Sequence, residues 1–248
     1  MKNVIAVLAV GGLAAAASAE VHSGLTHAGS FAINSRPGGP IAGAVAPTVR
    51  YSNTATFGGS GFSHGADTAW DDLNPLAAGP SDIDELTFSI ANFGSAALSS
   101  VDVTVSFSDD AGLDGPDATD NRVDIPFGTL DLTAIFGGSG LGSFSVATLS
   151  ATGLAGTATL PENPANFTWM GVTFENAVGV ANADVGQALF DPPTVGGSTD
   201  TIFVDGTGAT NFGGSPVANF GNALATVPAP GVGAVLGLGL IAAGRRRR

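Results

Sequence analysis

Two runs of strict alternation constrain this chain more than any other feature. Leu86, Phe88 and Ile90 alternate with Thr87 and Ser89. Val101, Val103, Val105 and Phe107 alternate with Asp102, Thr104 and Ser106. Successive side chains of a strand point to opposite faces, so a period of two buries one row and solvates the other. Helical periodicity is almost absent. Further strand candidates are residues 48–57, 123–132, 143–149, 167–175, 188–190, 201–204 and 217–220, separated by Gly and Pro clusters. The two alternating runs flank Asn92-Phe93-Gly94-Ser95-Ala96-Ala97, a loop suited to connecting neighbouring strands. The pattern predicts an all-β fold, an antiparallel β-sandwich with jelly-roll-like topology. Val103 and Val105 are expected to point inward with Leu86, Phe88 and Ile90 on the same sandwich face. A one-residue slip would turn every one of these side chains to solvent.

The two ends carry a different signal. Lys2 is a minimal positive n-region, residues 4–17 form an apolar h-region, and Ala17-Ser18-Ala19 is an A-x-A cleavage site. A signal-peptide helix over 1–19, removed by signal peptidase, leaves a mature chain beginning at Glu20. At the other end Val227-Pro228-Ala229-Pro230 precedes an uncharged span, 231–244, and then Arg245, Arg246, Arg247 and Arg248. Fourteen helical residues cover about 21 Å, short of the roughly 30 Å hydrocarbon core of a bilayer. Five glycines weaken the span further as a helix. The arginine cluster favours the cytoplasmic side, which places the body outside. These features describe a temporary hook: a short transmembrane helix held until an enzyme cuts near the prolines.

This tail resembles the PEP-CTERM sorting signal of bacterial surface proteins, with Ala229 where the usual motif has Glu. The resemblance implies processing by an exosortase-like membrane enzyme acting on a Pro-Ala-Pro variant of the signal. The stretch from Thr168 to Phe174, together with Pro192-Pro193-Thr194-Val195-Gly196 and the Gly-Gly-Ser-Pro-Val-Ala-Asn-Phe-Gly run ending at Gly221, is similar to β-sandwich ectodomains that carry such tails. The organisation expected is a signal peptide at 1–19, an ectodomain at 20–226 and a sorting tail at 227–248. Residues 20–81, rich in Gly, Pro and Ala, read as a loop-rich lead-in or an edge sheet.

Charge and composition set the compartment and partners. Between the two signals stand three arginines, Arg36, Arg50 and Arg122, against all 21 acidic residues, a net −18. Such a body repels nucleic acid and anionic lipid and attracts divalent cations. The chain has no cysteine, so neither a disulfide nor a lipid-anchored cysteine is available.

Five aspartates, Asp109, Asp110, Asp114, Asp117 and Asp120, fall within one Gly- and Pro-containing loop between two expected strands. Calcium takes six to eight oxygen ligands, often from one flexible acidic loop, so these residues are a candidate calcium site. The EF-hand spacing is absent, and a solvated hairpin has the same composition. Asp82, Asp84 and Glu85 read as a solubilising strand entry. Asp71 and Asp72 follow Trp70, which suits either a sugar platform with an exposed ring or a buried ring under a capping loop; Trp169 reads as core. His22, His27 and His64 lack zinc spacing. No G-x-S-x-G elbow is present, and Leu160-Pro161-Glu162-Asn163 lacks the Thr-Gly of a sortase site. The reading is a non-enzymatic exported protein of the cell envelope or surface, anchored transiently with its C-terminus cytoplasmic and released to or associated with extracellular polysaccharide. The alternative is a carbohydrate-binding or carbohydrate-active sandwich.

Overall fold

The computed structural model describes residues 20–33, 46–110, 116, 120–162, 165, 167–211 and 219–229. The expected signal peptide and apolar tail span lie outside them. Among the described residues no helix is long and apolar enough to cross a membrane.

The chain is all-β. Its strands are β1 (Glu20–Ser23), β2 (Thr26–Ala32), β3 (Thr48–Ser52), β4 (Phe57–Ser63), β5 (Ala69–Leu73), β6 (Ser81–Asn92), β7 (Ser100–Ser108) and β8 (Arg122–Asp131). Then follow β9 (Ser145–Ala151), β10 (Thr168–Val178), β11 (Val185–Phe190), β12 (Thr201–Val204), β13 (Gly208–Asn211), β14 (Asn219–Phe220) and β15 (Ala223–Pro228). They form two sheets. One runs β13-β12-β5-β10-β7-β8. The other runs β1-β4-β11-β6-β15-β3, with β9 on the second edge of β6, β2 beyond β9, and β14 beside β11. Among the described residues every strand pair is antiparallel except β2 with β9.

The alternating runs are β6 and β7, and their apolar rows are fully buried. They do not pair with each other. β6 lies in one sheet and β7 in the other, so Phe88 and Val103 belong to facing inner surfaces of one core. The 93–99 connection is therefore an arch between sheets, not a turn within one. Asn92 builds it: its Nδ2 lies within 2.8–3.0 Å of the carbonyls of Ala96, Leu141 and Gly142, and its Oδ1 accepts from Gly94 N at 2.9 Å.

Where one strand was expected over 48–57 there are two, β3 and the start of β4. Asn53 turns the chain between them, its Nδ2 donating to the carbonyls of Phe190 and Phe220 at 3.0 and 3.1 Å. Strand β5 escapes sequence reading because all five of its residues are buried. Covered on both faces, it shows no alternation. Gly171 sits opposite Trp70 across the β10–β5 ladder, and a Cβ there would lie 2.6 Å from the indole.

Residues 20–33 are not a loose lead-in. β1 pairs with the free edge of β4, and two residues later β2 pairs with the free edge of β9. Gly24 makes the corner at φ +79°, a conformation that suits glycine. Gly24 N and Leu25 N both donate to Gly59 O, at 3.0 and 3.2 Å. The sheet curls until this one segment bridges its two edges. Inside the curl Leu25 packs with Ala91, Phe93, Val146, Ala188 and Phe190 as a second small core. This is why β6 is buried on both faces near its end.

Candidate functional site

Of the candidate calcium loop, Asp114 and Asp117 lie outside the described residues. Asp109 closes the mouth of the β7–β8 hairpin. Its two carboxylate oxygens accept from Asn121 N at 2.9 Å and Asn121 Nδ2 at 2.6 Å, while Asp109 N donates to Asn121 O at 3.3 Å. Asp110 N donates to Ser108 Oγ at 3.3 Å, and Asp120 stands beside Asn121 at the other side of the mouth. Asp82 and Asp84 do more than solvate a strand entry. Asp82 accepts from Thr159 Oγ1 at 2.8 Å and Asp84 from Ala155 N at 3.2 Å, fixing the 154–159 segment against β6.

The larger surprise is at Asp71 and Asp72. Trp70 is fully buried, its indole N–H donating to Asp205 at 2.9 Å and its ring capped by the Arg122 guanidinium at 4.9 Å. It offers no exposed face to a sugar. Trp169 is buried too, as expected. The two aspartates are themselves buried in β5. Asp71 Oδ2 accepts from Phe220 N at 2.8 Å. Asp72 is wrapped by the segment leading into β12: Ser198 Oγ at 2.9 Å, Thr199 N at 2.9 Å, Thr199 Oγ1, and Thr201 N at 3.3 Å.

Asn219 joins this group to two more carboxylates. Its Nδ2 donates to Asp200 Oδ1 at 2.6 Å and lies 3.4 Å from Asp191 Oδ1, and its Oδ1 touches Ser198 Oγ. Four aspartates thus gather around β14 and the 191–200 segment. The ion pairs among the described residues lie elsewhere, Arg50–Glu162 and Arg122–Asp124. Burial, then the charge on Asp72, pushes the Asp71 carboxyl well above the usual carboxylate range; burial raises Asp72 as well. No three His, Cys, Asp or Glu side chains of the described residues form a ready-made ligand set. Sequence reading missed the group because its members come from positions 71–72, 191–200 and 219, with no shared motif.

Each histidine has its own local contacts. His22 stacks on Phe93 at 4.4 Å, and His27 Nε2 lies 3.0 Å from Thr148 Oγ1. His64 is buried, with Nδ1 2.8 Å from the Asp67 carbonyl. Burial lowers its pKa to about 4 against that hydrogen bond's opposing pull. Below pH 6.5 the unfolded chain takes up a proton that folded His64 refuses, so stability falls as pH drops from about 6.5 to 4, by up to about 3 kcal/mol. Urea unfolding at pH 7 and pH 4.5 checks this. The parent should lose more stability than a His64→Phe variant; equal losses would dismiss the assignment.

No family model matches this chain, and neither does any curated protein or solved structure.

Proposed function

We propose that this chain is a non-enzymatic exported protein whose β-sandwich is delivered to the cell envelope by a PEP-CTERM-like tail. The observation that carries the reading is that residues bordering both processing motifs are held within the sandwich. Glu20, the residue after Ala17-Ser18-Ala19, lies in β1 and pairs with Ser63. β15 is held on one edge by β3 and on the other by β6, and it pairs through Val227 with Asp82 and Pro228 with Ser81. Ala229 N then donates to Pro80 O at 3.3 Å. Pro228 and Ala229 of the Pro-Ala-Pro motif are therefore held by the sandwich itself. Signal peptidase and an exosortase-like enzyme are the proposed processing partners, with a signal helix before Glu20 and a short membrane helix after Pro230. The remaining partner proposed is extracellular polysaccharide or the envelope.

The finer topology proposed is a jelly roll. The runs β4-β11-β6-β9 and β5-β10-β7-β8 support it. Taken in chain order, these strands stand first, eighth, third and sixth in one sheet and second, seventh, fourth and fifth in the other. That is the order of a doubled Greek key.

Mass spectrometry of the surface protein from its own host tests the sorting reading. The expected form begins at Glu20 and ends close to Pro228-Ala229-Pro230. Recovery of chains still ending in Arg248 as the main surface species would overturn the processing step. Deleting Arg245, Arg246, Arg247 and Arg248 should weaken membrane retention, because the cytoplasmic charge stop is gone.

A further inference from the structure

The acidic group around Asn219 is short of positive charge in two independent ways. The first is the Tyr51 hydroxyl. Tyr51 is fully buried and its hydroxyl has no hydrogen-bond partner. The 191–200 segment is pinned over this residue by the Ser52–Val195 bridge, and the Tyr51 ring edge lies 3.1 Å from where a Cβ on Gly196 would sit. Burial and then the charges of Asp71, Asp72, Asp191 and Asp200 hold its ionisation well above the ordinary phenol range, so the hydroxyl stands in the field of all four. Asp71 Oδ1 is likewise buried with no partner. Unpartnered buried oxygens are rare, and an ion or water is their usual explanation.

The second is a proton count. Ser198 has one hydroxyl proton, yet its Oγ touches two acceptors, Asp72 Oδ1 and Asn219 Oδ1. Turning the Asn219 amide over gives Ser198 a donor, but it sets the amide oxygen against Asp200 and Asp191. With Asp72 ionised, either orientation leaves oxygen facing oxygen with nothing positive between. Buried charges are paired, neutralised by protonation or bound to metal.

We propose that this group is a binding site for a calcium-class divalent cation, held by Asp72, Asp191, Asp200 and the Asn219 amide oxygen, with Asp71 and Tyr51 behind them. All the donors are hard oxygens, of mixed carboxylate and amide type, which is the set calcium takes. A thiolate- or imidazole-seeking metal finds no ligand here. The carboxylates do not form a closed ligand set as they stand, and the proposed set requires their side chains to rotate, with the Asn219 amide oxygen turned towards Asp200. The cation then ties the 191–200 segment, β5 and β14 together across the two sheets. The site is distinct from the 109–121 hairpin loop and does not depend on the sorting reading.

The test uses the full chain. The melting temperature is measured in millimolar calcium, in magnesium and in chelator, and terbium luminescence sensitised by the neighbouring Tyr51 and Trp70 reports occupancy directly. Calcium should raise the melting temperature and magnesium should substitute poorly. Asp200→Asn should weaken calcium and terbium binding at least about tenfold. The same variant should melt no lower than the parent in chelator, since it relieves repulsion among neighbouring carboxylates while keeping an acceptor for Asn219; this separates lost binding from lost folding. The double variant Asp114→Asn, Asp117→Asn should keep the full response. Identical parent melting curves in calcium and chelator would overturn the proposal. So would a calcium response that survives Asp200→Asn and disappears in the loop double variant.

Discussion

Phe88→Ala is expected to cost about 3–5 kcal/mol, read as a lowered urea midpoint at unchanged slope. Phe88 is fully buried in the main core, where β6 faces β7. Its ring lies 5.7 Å from that of Phe127, and its backbone pairs with Leu149 of β9. Removing the ring leaves a cavity that two hydrogen-bonded sheets cannot close, because each strand's position is fixed by its neighbours. Thr87, one position away on the opposite face, is the control. Its hydroxyl meets Ser150 Oγ at 2.9 Å, and Thr87→Ala should cost only about 1 kcal/mol. Equal effects at the two positions would show that the buried face has been assigned wrongly.

Glu162→Ala should be as damaging, for an electrostatic reason. Arg50 is fully buried beneath the sheet edge. Its Nη2 and Nη1 reach the two Glu162 oxygens at 2.6 and 3.3 Å, Nη1 donates to Ser81 Oγ at 3.0 Å, and Nε donates to the Leu76 carbonyl. Removing the carboxylate strands a guanidinium away from water, at a cost of about 3–5 kcal/mol. The double variant Arg50→Met, Glu162→Leu removes both charges and should be much less destabilised than Glu162→Ala alone. Denaturant midpoints of the single and double variants check this. A double variant as unstable as the single one would mean that shape, not charge, dominates there. Glu162 belongs to a Leu-Pro-Glu-Asn stretch that reads from sequence as a failed sorting motif; its partner lies 112 positions away.

Legibility tracked how far apart the cooperating residues are in the chain. The apolar rows of β6 and β7 were readable because alternation within one strand states which side is buried. β12 was readable over its whole length, Thr201–Val204, as a β-branched and aromatic run. β5 was not, since burial on both faces erases the period, and β15 was hidden by the prolines that close it. The sugar-platform option at Trp70 failed on a tertiary fact, the cover supplied by Arg122 and Asp205.

The sequence by itself determined the all-β class and the buried rows of β6 and β7. It could do so because strand geometry converts a two-residue period directly into inside and outside. Tertiary structure alone decided what each inside faces. It placed β6 and β7 in opposite sheets, folded residues 20–33 over the edges of β4 and β9, and buried Arg50 against Glu162. It also collected Asp71, Asp72, Asp191, Asp200 and Asn219 around one point. Alternation specifies a buried side but carries no address for the partner, and carboxylates from three separate segments meet only once both sheets are packed.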